Sequence, residues 1–365
     1  MLEKKCSLRF LLSCTLSTFR QDVIAITGMK EREKMKLLLI KENQLKAVTL
    51  FLIEKEIIFH PSISPNGCPD FTGKYGRKNT LIIDRNIMTK IIEYCRVGKL
   101  KDAYIRKMIG ALLFWAEFND VTITGGLALI EYATGQGVND GASLENNIFL
   151  KMFDQYSPQI WLDVFENKIE NIEPIKLNNI RNYSFVIENE HYLMHLAEVI
   201  YLFRLYLDNT KDACQKIKSY LSWVNNNQLF CAYSTTYACM LFSNKIKQPH
   251  MRSTDDFETK LKICSNQAWD LSYLSFWSTL YWSESDTNNN YLFATMDTDL
   301  KKIFIQTHNV DSDIFCRFFG LEKGADIRKH YESIMNNRVK PIMTNDQINK
   351  VLDMEKTKLR SECSH

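Results

Sequence analysis

The chain has 365 residues, of which 45% are hydrophobic and 24% charged, and its formal net charge is +3. This composition fits a globular protein with a full core, and the length predicts one large domain with an insertion or two domains. The net charge is too small to predict nucleic-acid binding by itself, although it is compatible with a local basic face. No run approaches the roughly 18 apolar residues of a membrane helix, so no membrane partner is predicted.

The cysteines argue for a reducing compartment. All ten are isolated in sequence, with no C-x-x-C pair. This spacing excludes a zinc-site signature and the disulfide framework of a small secreted domain, so we predict reduced thiols in a cytoplasmic protein. Residues 6–19 are faintly similar to a signal peptide, but Arg9 interrupts the apolar run and no small-x-small cleavage site is obvious.

The sequence predicts three regions: an N-terminal appendage of residues 1–75, an α/β domain of residues 76–325, and a charged peripheral tail of residues 326–365. The boundary after the appendage rests on a cluster of proline and glycine between residues 61 and 76, which is the strongest break in the chain. Residues 34–53 are mostly periodic and predict a helix or paired strands. A largely helical insertion is predicted at about 140–260.

The α/β domain is predicted to contain two strands that each lead to an aspartate. Residues 79–83 are branched and apolar, as in a short buried strand, and Asp84 follows them. Residues 291–295 form the second such run, which leads to Asp297. The elements predicted between these strands are helices at 87–97, 103–118, 127–133, 191–207, 212–223 and 268–282, and a very short strand or turn at 121–123.

Four carboxylates stand in apolar sequence contexts: Asp84, Glu131, Asp270 and Asp297. Each has an ordinary explanation when taken alone. An aspartate after a strand often caps the next helix, a carboxylate is favoured near a helix N-terminus, and Glu131 fits a helix surface. However, charged groups on an apolar background are rarely buried without a partner, and few basic residues accompany these four. Together they predict a shared cation.

The predicted cation is Mg²⁺ or Mn²⁺, because hard divalent ions prefer oxygen ligands. Such an ion orients a phosphodiester, activates a water and stabilises the charge that builds on the leaving oxygen. Lys301 and Lys302 follow Asp297 closely and are candidates for contacts with substrate phosphates. An ordinary solvated helix face explains these lysines equally well. The sequence leaves open whether one or two ions bind.

The order of these motifs resembles that of the PIN-domain nucleases. The matching segments are Asp84-Arg85-Asn86, Glu131 within residues 128–133, Trp269-Asp270-Leu271 and Thr295-Met296-Asp297. The resemblance implies a central parallel sheet flanked by helices. The chain departs from the compact form of that family because 139 positions separate residue 131 from residue 270, which implies the helical insertion.

The resemblance also assigns roles to residues. It implies that the catalytic and metal-binding set consists of Asp84, Glu131, Asp270 and Asp297. Asn86 and Thr295 are implied as polar supporters of this set. Asp299 follows the same strand as Asp297 and is an additional metal-ligand candidate.

The activity implied by the resemblance is a metal-dependent endoribonuclease, which hydrolyses phosphodiester bonds in RNA or, in some members, in structured DNA. A toxin or defence effector held by an inhibitory partner protein is the setting that the family suggests, and a homo-oligomer is a further expectation. The alternative is a catalytically inactive PIN-like interaction protein whose helical insertion binds a partner.

Two histidines, His191 and His195, lie at i and i+4 of a predicted helix, a spacing that can bind a metal. The residue after the first is Tyr192 rather than the glutamate base of the H-E-x-x-H zinc proteases, so no zinc protease is predicted. We interpret both histidines as helix-surface or interface residues. The sequence contains no G-x-S-x-G element and no order of Ser, His and Asp that indicates acyl transfer.

Overall fold

The computed structural model describes residues 40–59, 78–283, 289–309, 312–336, 338–339 and 343–363. The signal-like segment 6–19 and the predicted break between residues 61 and 76 lie outside the described residues. The chain divides into two compact units. The described residues of the sheet unit are 40–59, 78–187, 283 and 289–297, and those of the helical unit are 188–282, 298–309, 312–336, 338–339 and 343–363. The predicted insertion at about 140–260 contributes residues to both units.

The sheet unit combines helices with four short strands. Its elements are α1 (Glu42–Glu54), β1 (Ile58–Phe59), β2 (Lys78–Ile83), α2 (Arg85–Val97), α3 (Ala103–Phe118), β3 (Thr122–Thr124), α4 (Gly126–Gln136), α5 (Asp140–Gln155), α6 (Pro158–Phe165) and β4 (Asn289–Ala294). The described part of the chain is therefore mostly helical, and its one small sheet makes it an α/β protein only in the broad sense.

The four strands form one mixed sheet in the order β1-β4-β2-β3. β2 pairs in parallel with β3 and with β4, whereas β1 pairs antiparallel with β4. The expected central parallel sheet is therefore found only in part, as a small, mostly parallel sheet with an antiparallel edge. In the β2–β4 register Ile83 lies opposite Ala294. The residues that follow these two strands therefore emerge at the same edge of the sheet, where ligands of open parallel sheets commonly bind.

Local sequence explains β2 and the helix that follows it. Leu81, Ile82 and Ile83 are buried, as expected for a parallel strand covered on both faces. α2 begins after Asp84 and ends at Gly98, which adopts the left-handed conformation that stops helices, with φ of 76°. This strand–turn–helix unit places Asp84 at the carboxyl end of β2 and the N-terminus of α2.

The helical unit contains no strand among its described residues. Its elements are α7 (Glu190–Leu207), α8 (Ala213–Asn227), α9 (Ala232–Phe242), α10 (Phe257–Ser283), α11 (Thr298–His308), α12 (Ile314–Phe319), α13 (Leu321–Asn336) and α14 (Asn345–Glu362). α14 packs against α7 and buries Ile348, Glu355 and Leu359. The C-terminal segment is therefore packed into this unit, whereas the sequence predicted a peripheral tail. Within the described residues, no helix is both long and apolar enough to cross a membrane.

Gly110 allows a close approach of α3 and α6 in the sheet unit. A Cβ atom at this position would lie 2.7 Å from the Trp161 carbonyl oxygen and 2.8 Å from the Phe165 backbone nitrogen. We expect Gly110→Ala to lower the free energy of unfolding by about 1–3 kcal/mol, because neither backbone atom can move without separating the helices. Urea denaturation will measure this change.

Gly135 in α4 provides the matched control, since a Cβ atom there meets nothing within 4 Å. Gly135→Ala is expected to stabilise the protein by about 0.5–1 kcal/mol, because alanine loses less backbone entropy than glycine in a helix. Equal effects of the two alanine substitutions would contradict the close approach at Gly110.

Candidate functional site

Asp84 is buried at the junction of β2 and α2, with 2% of its surface exposed. Its backbone is extended, and its Oδ1 atom accepts a hydrogen bond of 2.8 Å from the Ile87 backbone N–H. Asp84 therefore caps α2, which confirms the ordinary explanation of an aspartate after a strand. This bond occupies one carboxylate oxygen and leaves the second oxygen for other partners.

Thr295 connects Asp84 with the segment after β4. The Thr295 hydroxyl, which is buried, donates a 2.5 Å hydrogen bond to Asp84 Oδ2. The Thr295 hydroxyl oxygen in turn accepts a hydrogen bond of 2.9 Å from the Asp297 backbone N–H. One hydroxyl therefore contacts both the Asp84 carboxylate and the turn that carries Asp297. Support of a metal site by Thr295 stays a prediction.

The electrostatics of this pair disfavour ionisation of Asp84. Burial raises the pKa of Asp84 to about 6, although the hydrogen bonds from Thr295 and Ile87 oppose the rise, and the charge of Asp297 raises it further. Asp297 itself is half-buried. A buried carboxylate beside a second carboxylate is an arrangement that a cation would relieve.

The other predicted site residues of the sheet unit lie on neighbouring helices. Glu131 is half-buried in the second turn of α4, the helix that follows β3, and Asn86 is exposed in the first turn of α2. Arg85 forms a bidentate ion pair with Glu145, and its guanidinium lies 4.3 Å from the centre of the Tyr132 ring. The positive charge next to Asp84 in sequence is therefore engaged with α4 and α5.

The remaining predicted residues belong to the helical unit. Asp270 lies in the middle of α10, which begins at Phe257, so the expectation that Asp270 opens its helix is wrong. Asp299 lies in the first turn of α11 and forms an ion pair of 3.0 Å with Lys302. Lys302 is exposed and Lys301 is half-buried. This ion pair fits the interpretation of the lysines as a solvated helix face.

Asp270 and Asp299 share a neighbour within the helical unit. Burial raises the pKa of Tyr237 well above its usual value, and the charges of Asp270 and Asp299 add to that rise. Both carboxylates therefore act on the same buried phenol of α9. Asp270 as a metal ligand stays a prediction from the family resemblance.

The described residues contain no group of three or more His, Cys, Asp or Glu side chains arranged to hold a metal ion. The pair of Asp84 and Asp297 nevertheless matches the chemistry of Mg²⁺, which commonly keeps several waters and takes one or two carboxylates. The raised pKa of Asp84 beside a like charge supports this fit. The donor set suits a hydrated ion rather than a closed protein cage.

A second polar cluster was missed by the sequence interpretation. His191 and His195 are buried in α7, with 5% and 2% of their surfaces exposed, so the helix-surface alternative is wrong and both rings face α10. Glu198 is also buried, three residues after His195. The signal was present, because residues 191, 195 and 198 follow the i, i+4, i+7 spacing of one helix face. The Ser275 partner on α10, in contrast, has no signal in local sequence.

Comparisons with family models, with curated proteins and with solved structures gave no match for this chain.

Proposed function

We propose that the sheet unit carries a Mg²⁺- or Mn²⁺-dependent phosphodiesterase centre that cleaves RNA. The observation that carries the proposal is the carboxylate pair at the ends of two adjacent parallel strands, in which Thr295 joins the buried Asp84 to the Asp297 turn. The PIN-like order of motifs supports it from the sequence, and Glu131 is the third ligand that this resemblance implies.

The roles of the protein groups follow from their contacts. Asp84 and Asp297 would hold the ion, which when bound neutralises charge on the phosphodiester and activates a water. Thr295 fixes the orientation of the Asp84 carboxylate, and the Ile87 N–H holds its other oxygen. Because the pKa of Asp84 is about 6, its ligating form dominates above that pH. Activity and ion affinity are therefore expected to fall as the pH drops from 7 to 5.

The test is cleavage of fluorescently labelled RNA, with a DNA of the same sequence in parallel, at pH 7.5 with Mn²⁺, Mg²⁺ or a chelator. We expect metal-dependent RNA cleavage by the wild type. Asp84→Asn and Asp297→Asn should each lower it by more than about 100-fold, the upper end of what loss of a supporting residue costs at a metal site. Isothermal titration with Mn²⁺ should show the same loss in binding.

Asp102→Asn is the matched control for Asp84→Asn. Asp102 caps α3 through the backbone N–H groups of Tyr104 and Ile105, at 2.9 and 3.1 Å, but it is exposed. This variant should retain full cleavage. Undiminished cleavage by Asp84→Asn, or no metal-dependent cleavage by the wild type, would refute the proposal, and the second result would favour the non-catalytic interaction protein.

A further inference from the structure

The polar cluster of the helical unit has the connectivity of a nucleophile, a base and an orienting carboxylate. Ser275 Oγ lies 2.9 Å from His195 Nε2, and His195 Nδ1 lies 2.8 Å from Glu198 Oε2. The Tyr220 hydroxyl donates a hydrogen bond of 2.6 Å to Glu198 Oε1. These contacts place a hydroxyl, an imidazole and a carboxylate in the order found in hydrolases that use serine.

The Ser275 hydroxyl has three polar neighbours, which are His191 Nδ1, His195 Nε2 and, at 3.3 Å, the Ser272 carbonyl oxygen. His191 Nδ1 lies 3.0 Å from Ser275 Oγ and donates to it when His191 carries its proton on that atom. When His195 is neutral, the Ser275 hydroxyl can turn from the Ser272 carbonyl oxygen to His195 Nε2, and His195 Nδ1–H donates to Glu198. In this arrangement the proton of Ser275 already points at the base that would remove it.

A small cavity adjoins Ser275. Its volume is about 40 Å³, and its wall includes His195, Cys231, Tyr233 and the apolar side chains of Met194 and Phe230. This volume holds roughly two or three water-sized groups, which favours a short acyl chain. The mostly apolar wall suits a methyl or ethyl group rather than a charged one.

α9 begins at this cavity. Cys231 is the N-cap residue of α9, and Ala232 and Tyr233 in its first turn also line the cavity. The first backbone N–H groups of a helix have no acceptor within the helix, and they favour negative charge. An oxyanion that develops on a bound carbonyl oxygen would be stabilised at this position.

We propose that Ser275, His195 and Glu198 form a second active site, which hydrolyses esters with short acyl groups such as acetyl. Ser275 Oγ attacks the carbonyl carbon while His195 Nε2 takes the hydroxyl proton, and that proton passes to the alcohol as the ester bond breaks. A water then attacks the acyl-serine, which releases the carboxylic acid and restores Ser275. Glu198 acts as a positioning residue that holds the His195 ring.

The protonation state of His195 sets the pH dependence. Burial alone would lower the pKa of His195, but hydrogen bonds with Cys231 and Glu198 raise it to about 10. Burial and the His195 charge lower the pKa of the neighbouring His191 to about 3. Tyr220 from α8 faces the cluster through Glu198. Because the neutral base is scarce at pH 7, the rate should rise about tenfold per pH unit between pH 7 and 9.

The test uses the full chain and two probes, a fluorophosphonate that labels activated serines and p-nitrophenyl esters of increasing acyl length. Peptide mass spectrometry of the wild type labelled at pH 9 should locate the phosphonyl group on Ser275. The Ser275-dependent rate of hydrolysis is the wild-type rate minus the rate of Ser275→Ala. This rate should be at least tenfold higher for p-nitrophenyl acetate than for p-nitrophenyl octanoate. Glu198→Gln should shift the pH–rate profile to lower pH, which a purely structural role would not do.

Ser272→Ala is the matched control, because Ser272 is fully buried one turn earlier on α10 and donates its hydroxyl to the Ala268 carbonyl oxygen. It should leave labelling and hydrolysis unchanged. If Ser275→Ala does not fold, the labelling of the wild type decides alone. The proposal is overturned if folded wild type carries no label on Ser275 at pH 9 or if the label lies on Cys231 instead. It is also overturned if Ser275→Ala hydrolyses p-nitrophenyl acetate as fast as the wild type does.

Discussion

Replacing Arg204 by alanine is expected to lower the free energy of unfolding by about 3–5 kcal/mol, because it leaves a buried carboxylate without its guanidinium partner. Glu355 of α14 is fully buried, and it accepts hydrogen bonds from Arg204 Nη1 at 2.7 Å and from Trp223 Nε1 at 3.1 Å. Lys358 also contacts it, but the lysine side chain is 44% exposed. Without the guanidinium, the attachment of α14 to α7 loses its main charge compensation. Urea denaturation followed by tryptophan fluorescence will measure the loss.

Glu362 supplies the control for this prediction. It bonds the same guanidinium, but its side chain is 47% exposed. Glu362→Gln should therefore cost less than about 1 kcal/mol. The double replacement of Arg204 by Met and Glu355 by Leu should be less destabilising than Arg204→Ala alone, because no buried charge is left without a partner. Equal losses from Arg204→Ala and Glu362→Gln would show that the buried carboxylate is not the cause.

Asp84→Asn is expected to stabilise the protein by up to about 3 kcal/mol at pH 8 while it removes the proposed metal ligand. The pKa of Asp84 is about 6 in the folded protein against 3.8 as its ordinary value, and this difference corresponds to about 3 kcal/mol. A raised carboxyl pKa gives a contribution to stability that is complete below pH 4 and is lost as the pH rises through 6. Asparagine avoids this loss and is itself a good N-cap residue.

Thermal and urea denaturation of Asp84→Asn and wild type at pH 4, 6 and 8 will test this expectation. The difference in the free energy of unfolding between Asp84→Asn and the wild type should be small at pH 4 and should grow with pH. Asp84→Ala also removes the hydrogen bond to the Ile87 N–H. Its gain in the free energy of unfolding should therefore be about 1 kcal/mol smaller than that of Asp84→Asn. An advantage of Asp84→Asn that is independent of pH would contradict the electrostatic explanation.

Local sequence predicted most of the elements that position the sheet site. Residues 103–118 were predicted as a helix and form α3 with the same bounds. The strand predicted at 79–83 is β2, and the one at 291–295 is β4, each with ends within two residues of the prediction. These segments form where apolar runs, caps and turn residues agree, and that information lies within a few neighbours in sequence.

Local sequence failed where the decisive contact comes from a distant segment. Asp270 was predicted at a helix start because apolar residues follow it, but α10 begins thirteen residues earlier, at Phe257. The charged C-terminal segment was predicted as peripheral, because nothing near Glu355 in sequence shows that Arg204 and Trp223 compensate its burial. Charge in a sequence predicts exposure only as long as no partner from another element neutralises it.

Sequence by itself determined that Asp84 ends a buried strand and caps the next helix, because capping and strand formation depend on adjacent residues. Only the tertiary structure decided that β4 lies beside β2, so that Thr295 reaches Asp84 and Asp297 adds its charge. It likewise decided that Ser275 joins His195 and Glu198, across 80 positions of sequence. Strand pairing and helix packing bring these groups together, and both depend on burial summed over many residues rather than on any motif.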